Sequence, residues 1–247
     1  MDLKNIELKN SVNSWIEAIL DAVFPSSCRI CGNKLDINRK ACICLSCWNK
    51  IRIITQPACV SCGKQLKLQH ELFCGDCSRN KMSFLDNRSA AVYDDVMREA
   101  IHLFKYGDKR KLGKHFGDLL VEYLRQNGAL DGINAIIPVP LYKNKRRDYN
   151  QSRILAEYLG EEFNLPVYND VLLRVSDTRA QHGLKKEERI MNVQGAFSVR
   201  NAGRIKQAIV LLVDDIFTTG ATADECTRTL LAAEANSVRV VTLARGE

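Results

Sequence analysis

The chain has 247 residues, 46% of them hydrophobic and 26% charged, enough apolar material for one large domain or a small one beside a medium one. No run approaches eighteen consecutive apolar residues, so a membrane span is not expected. The formal charge of +7 counts every cysteine as neutral; eight zinc-bound thiolates and two metal ions would bring it to about +3, so overall basicity does not mark a nucleic-acid binder.

Charges are spread through the first twenty residues, and no small-residue cleavage pattern follows them. The segment does not read as a secretory signal, and the expected compartment is the reducing cytoplasm, where cysteines act as metal ligands or core residues. Val12, Trp15, Ile16, Ile19, Leu20 and Val23 lie at helical spacing ahead of Pro25, which predicts an amphipathic helix over residues 12–24. Nine of the ten cysteines then fall between positions 28 and 77. They form an internal repeat. Cys28-Arg-Ile-Cys31-Gly32 with Leu35 matches Cys59-Val-Ser-Cys62-Gly63 with Leu66, and second pairs follow at Cys44/Cys47 and Cys74/Cys77. A Cys-x-x-Cys turn delivers two thiolates to one metal, and two such turns complete a tetrahedral zinc site. Eight ligands therefore predict two structural zinc ions. Sequential pairing follows the repeat, while a cross-braced arrangement would use the same eight residues. Cys42 falls out of register, and Cys226 lies on an apolar helical face as a core residue. The composition shift sets the expected boundaries at 1–25 for the helix, 26–82 for the double ribbon and 83–247 for the remainder.

Beyond the boundary, helices alternate with strands. Asp94 is placed to cap a helix bearing Val96, Met97, Ala100, Ile101 and Phe104, and a second helix from Leu112 ends before Gly128. Strands are expected over 133–139, 171–173, 196–199, 209–213 and 238–243, with helices over 149–163 and 222–235. This order predicts an α/β domain around a mostly parallel sheet flanked by helices. Two basic clusters interrupt it: Lys105, Lys109, Arg110, Lys111 and Lys114, then Lys143, Lys145, Arg146 and Arg147. Each reads either as a solvated face or as a phosphate contact.

The most specific string is Val210-Leu211-Leu212-Val213-Asp214-Asp215-Ile216-Phe217-Thr218-Thr219-Gly220-Ala221-Thr222. A buried strand delivers two adjacent carboxylates, which can accept hydrogen bonds from vicinal sugar hydroxyls. The loop that follows opens a helix, and its backbone N–H groups and threonine hydroxyls form a nest for a phosphate. A phosphate beside a diol is the pattern of a ribose 5-phosphate. The string lacks the Gly-Lys-Ser/Thr of a nucleotide P-loop, and the chain has no Gly-x-Gly-x-x-Gly.

This string resembles the motif by which type I phosphoribosyltransferases bind phosphoribosyl pyrophosphate (PRPP). The resemblance implies that Asp214 and Asp215 hold the ribose hydroxyls. It also implies that Thr218, Thr219, Gly220, Ala221 and Thr222 cradle the 5-phosphate, and that Mg²⁺ accompanies the ligand. Ile137-Pro138-Val139-Pro140 ends a strand where such folds carry the pyrophosphate loop, and the polar stretch 174–192 sits where they carry a flexible hood. Lys105, Arg146, Gln151, Gln181 and Arg189 are the candidate pyrophosphate and hood contacts. With the double ribbon, Ile-Pro-Val-Pro, Arg146-Arg147-x-x-Asn150-Gln151, Thr178-x-x-Gln181 and Arg189-x-x-Asn192-x-x-Gly195-Ala196-Phe197, the chain resembles the ComF family of bacterial competence proteins. That resemblance implies a role in natural transformation, with single-stranded DNA and DNA-uptake proteins as partners. Two other readings stand beside it: an active phosphoribosyltransferase with an unknown base or amine as acceptor, and a PRPP or nucleotide sensor without turnover.

Overall fold

The computed structural model describes residues 27–35, 39–106, 111–128, 130–142, 149–178 and 186–246. The helix expected over 12–24 lies outside them, as do Lys109, Arg110, Lys143, Lys145, Arg146, Arg147 and Gln181. The chain divides into two compact units, Met1–Lys50 and Ile51–Glu247.

In the first unit the chain turns tightly around Cys28. The Gly32 N–H donates to the Cys28 carbonyl at 2.9 Å, with Gly32 in the left-handed region at φ +76°. Short antiparallel bridges join Ser27 to Lys34 and Lys40 to Ile43, leading into helix α1 (Leu45–Trp48). The second unit opens with the same construction. Gly63 N–H donates to the Cys59 carbonyl at 2.8 Å, Ala58 bridges Gln65, and helix α2 (Gly75–Arg79) carries Cys77. The sequence repeat is thus a structural repeat.

The rest of the second unit is the expected α/β fold. In chain order it contains β1 (Asn87–Val92), α3 (Asp95–Tyr106), α4 (Leu112–Asn127), β2 (Ala135–Pro138), α5 (Gln151–Phe163) and β3 (Leu172–Arg174). Then follow α6 (Lys186–Val193), β4 (Phe197–Val199), β5 (Ile209–Phe217), α7 (Ala221–Ala232) and β6 (Ser237–Arg245). Among the described residues the main sheet runs β1-β6-β5-β2, every pair parallel, while β3 and β4 form a separate antiparallel hairpin.

Burial on both faces explains why residues 209–213 of β5 read as an unbroken apolar run. Val210, Leu212, Val238, Val240 and Ile137 share one cluster with Phe197, Cys226, Leu230 and the thiols of Cys59, Cys62 and Cys77, so the second ribbon is built into that face. Helices α4 and α5 meet at glycines: a Cβ on Gly113 would lie 2.6 Å from Ile154 Cγ2, and one on Gly117 would overlap the Tyr158 ring. The mid-helix cost of glycine is accepted there because only a bare backbone fits.

Two features differ from the sequence expectation. The 174–192 stretch contains helix α6 rather than loop throughout, and the strand Asn87–Val92 was not foreseen. Its polar residues Asn87 and Ser89 are buried by tertiary hydrogen bonds, to the Cys62 carbonyl and the Thr242 hydroxyl respectively.

Candidate ligand and metal sites

Connections decide where the main crevice opens. β5 continues through α7 to β6, its neighbour on one side; β2 continues through α5 to Val167, which bridges Ile136 in parallel on the other side. Adjacent strands whose connections leave in opposite directions part beyond their carboxyl ends, which is where open α/β sheets bind ligands. A cavity of about 730 Å³ lies there. The ends of β2 and β5, the first turns of α5 and α7, and the last turns of α3 form its walls.

Asp214 and Asp215 are the last polar positions of β5 and both line the cavity. Asp215 Oδ2 receives Lys105 Nζ at 2.7 Å. Asp214 Oδ1 accepts from the Ser152 hydroxyl at 3.0 Å and from the Asp215 N–H at 2.8 Å. Desolvation first, and the Asp215 carboxylate second, push the Asp214 carboxyl up to about 7 against those hydrogen bonds and the Lys105 charge.

That shift makes a pH prediction. A carboxyl with a folded pKa above its unfolded one costs nothing below the unfolded value near 4, and its penalty grows as pH rises to the folded value near 7. An amide in its place keeps the Oδ1 acceptor without the charge. Asp214→Asn should therefore match the wild type in urea unfolding at pH 4 and exceed it at pH 8 by on the order of 2–4 kcal/mol. An equal or lower stability at pH 8 would contradict the assigned desolvation.

The loop after β5 is shaped for close approach. Gly220 sits at φ +81° immediately before α7, and Thr218, Gly220, Ala221 and Thr222 line the cavity. The Thr219 hydroxyl is used inside the loop, accepting from the Ala221 N–H at 3.3 Å. Arg189, from α6, donates to the Thr218 hydroxyl at 2.9 Å, which ties the hood segment to the loop. Gln151 lines the wall with its amide turned toward the end of α3, donating to the Phe104 and Lys105 carbonyls at 3.3 and 3.4 Å. Lys105, Gln151 and Arg189 thus join Asp214, Asp215 and the loop around one space.

Sequence reasoning missed Ser152 and Arg174, both on the wall. Arg174, at the end of β3, stacks over Phe197 at 5.5 Å, and its Nε is buried without a hydrogen-bond partner. Burial holds its guanidinium below the usual value. No local signal marks either residue, because only the fold brings β3 and the start of α5 to the crevice. Cys226 is fully buried, and desolvation pushes its thiol well up, as suits an inert core residue.

The eight ribbon cysteines separate into two sets, Cys28/Cys31/Cys44/Cys47 and Cys59/Cys62/Cys74/Cys77, with the sulfurs of each set within 4.8 Å of one another. Pairing is therefore sequential. The Cys31–Cys44 and Cys62–Cys74 sulfurs stand 3.7 Å apart; bonds of about 2.3 Å to a tetrahedral zinc place sulfurs roughly 3.8 Å apart. Backbone N–H groups point at the sulfurs, Cys44 to Cys28 Sγ at 3.4 Å and Cys74 to Cys59 Sγ at 3.3 Å. A hydrogen bond from Cys62, with N–H donors behind it, lowers Cys59 to about 4 despite its burial, while burial pushes Cys77 up to about 11. With four protein ligands each, both sites fit structural zinc and leave no open position for chemistry.

Comparison with known proteins agrees with this architecture. Residues 19–78 match the double zinc ribbon domain family. Competence protein F of Haemophilus influenzae is 30% identical over 90% of this chain and 98% of its own length. Competence protein ComFC of Bacillus subtilis is 30% identical over 82% of this chain and 84% of its own. The DNA utilization protein YhgH of Escherichia coli K12 is 27% identical over 90% and 97%.

Proposed function

Because this chain belongs to the ComF family of competence proteins, we propose that it binds PRPP with Mg²⁺ and takes part in natural transformation, handling incoming single-stranded DNA in the cytoplasm. One observation carries the ligand half of this reading. The adjacent carboxylates Asp214 and Asp215 share a cavity wall with the Thr218–Gly220–Thr222 loop and face the cations Lys105, Arg174 and Arg189. In this reading the carboxylates accept from the ribose hydroxyls. The loop N–H groups and the start of α7 hold the 5-phosphate, with Thr219 bracing the turn from inside. Lys105 and the two arginines meet the pyrophosphate, joined by Arg146 and Gln181 from outside the described residues. Gln151 holds the end of α3, and so Lys105, in place. Mg²⁺ enters with the ligand, riding mainly on its pyrophosphate and ribose oxygens, as the family resemblance implies.

The DNA half rests on the relatives, which are named for competence and DNA utilization. The ribbon region 26–82 and the domain 83–247 are assigned to partner docking and ligand binding respectively. A second reading, transfer of the phosphoribosyl group to an acceptor, is favoured by the cavity's extension past the loop to Tyr93, Glu99, His102 and Tyr106.

The biological test is complementation. In a transformable host lacking its own relative, the wild-type gene should restore transformation, and Asp214→Asn/Asp215→Asn at equal protein level should lower it to the deletion value. Full complementation by that variant would separate the DNA role from the ligand site and overturn the combined reading.

A further inference from the structure

The two aromatic rings and the arginine beside the ligand loop connect it to a feature that the ligand site does not itself use, the second four-cysteine knuckle. Arg245 ends β6 opposite Phe217 in the β5 ladder. Its Nε donates to the carbonyl of Cys62, a metal ligand, at 2.9 Å, and its guanidinium lies over the Phe217 ring, 5.3 Å from the centroid. The Phe217 ring in turn underlies the loop: a Cβ on Gly220 would come within 2.6 Å of Phe217 Cζ.

A second path starts from the segment after Cys77. Phe84 meets Phe217 edge to face at 5.9 Å, and Met82 Cε stands 3.1 Å from the Gly220 Cβ position. The Ser83 N–H donates to Asp224 Oδ1, in the first turn of α7, at 2.6 Å. Cys59, Cys62, Cys77, Phe84, Phe217, Ala221 and Ala223 belong to one buried cluster. The knuckle itself sits tightly on β1, where a Cβ on Gly63 would lie 3.0 Å from Asn87 Nδ2.

We infer that the second four-cysteine knuckle is the buttress of the 217–222 loop, with Arg245 as the positioning residue between them. A zinc ion held by four thiolates carries a net charge of about −2, and a guanidinium beside it is favourably placed. The metal fixes the Cys62 carbonyl, that carbonyl orients Arg245, and Arg245 presses Phe217 under Gly220. The ligand loop is then ordered only while the second zinc is bound. The ligand-binding part of this inference rests on the reading of the loop as a phosphate cradle; the loop-order part does not.

The experiment uses the full-length zinc-loaded protein and two variants. Arg245→Met keeps the aliphatic stem and removes the N–H donor and the charge. Cys74→Ser removes one ligand of the second site. Zinc content is counted, and hydrogen exchange of the 217–222 amides is followed without ligand and then with Mg·PRPP. Arg245→Met should retain two zinc ions yet exchange these amides about tenfold faster, the loss expected for one charge-assisted hydrogen bond. It should bind PRPP about tenfold more weakly. Cys74→Ser should lose one zinc and show the same local change or a larger one. Unaltered exchange at 217–222 in a two-zinc Arg245→Met protein would overturn the inference, whether or not PRPP binds. Altered exchange with no PRPP binding by the wild type would uphold the buttress and sink the phosphate-cradle reading instead.

Discussion

Gly220→Ala should abolish tight PRPP binding while leaving the protein folded. The residue holds φ at +81°, and the added methyl meets Phe217 Cζ at 2.6 Å and Met82 Cε at 3.1 Å. Both constraints act on the same loop. The left-handed conformation costs an L-residue about 1 kcal/mol or more, and the clash forces either the Phe217 ring or the loop to move. Phe217 is held between Phe84 and Arg245, so the loop is the part that gives way. Global stability should fall by about 1–3 kcal/mol, and affinity by roughly a hundredfold, since a phosphate nest works only when its N–H groups converge. Calorimetry beside urea unfolding separates the two effects. An alanine variant that binds within about twofold of the wild type would mean that the loop geometry does not serve the ligand.

Lys105→Met should show a deficit that depends on pH. Lys105 Nζ is 2.7 Å from Asp215 Oδ2, with the two side chains only 17% and 12% exposed. Methionine fills the same space and removes the charge that this pair sets against two adjacent carboxylates. Breaking a largely buried ion pair from one side costs about 3–5 kcal/mol. Lys105 also lowers the Asp214 carboxyl, behind the larger effects of desolvation and Asp215 that raise it; without Lys105 that carboxyl rises further. Without Lys105 the folded pKa lies above about 7, so the added penalty is absent near pH 4, sets in as pH rises past 7 and is still growing at pH 8; the deficit should therefore be larger at pH 8 than at pH 4. PRPP affinity should fall as well, since a cation facing the pyrophosphate is gone. A deficit of equal size at pH 4 and pH 8 would show that packing, not charge, is what Lys105 supplies.

The strongest elements were legible because both faces of the sheet are covered. Residues 209–213 form an apolar run with a single reading, and the structure extends that strand to Phe217, because pairing with β6 continues past the aspartates. The zinc ligands were legible from spacing, whereas sequential pairing needed the sulfur positions. Strand Asn87–Val92 was hidden because its buried polar residues find their partners only in the folded chain, Asn87 at the Cys62 carbonyl and Ser89 at Thr242. In the site, Asp214, Asp215 and the loop lie in one contiguous string, so local chemistry revealed them. Ser152 and Arg174 come from separate elements, and nothing in their neighbours marks them. Lys105 could not be told from a solvent-facing lysine until the end of α3 was placed against Asp215.

Titrating purified zinc-loaded protein with PRPP and Mg²⁺ in a calorimeter, beside the Asp214→Asn/Asp215→Asn variant, tests the ligand reading most directly. Saturable one-to-one binding by the wild type, lost in a variant that keeps its zinc and its fold, is the expected result. A folded, zinc-loaded wild type that takes up no PRPP would contradict it, leaving the crevice at β2 and β5 without the ligand its chemistry fits.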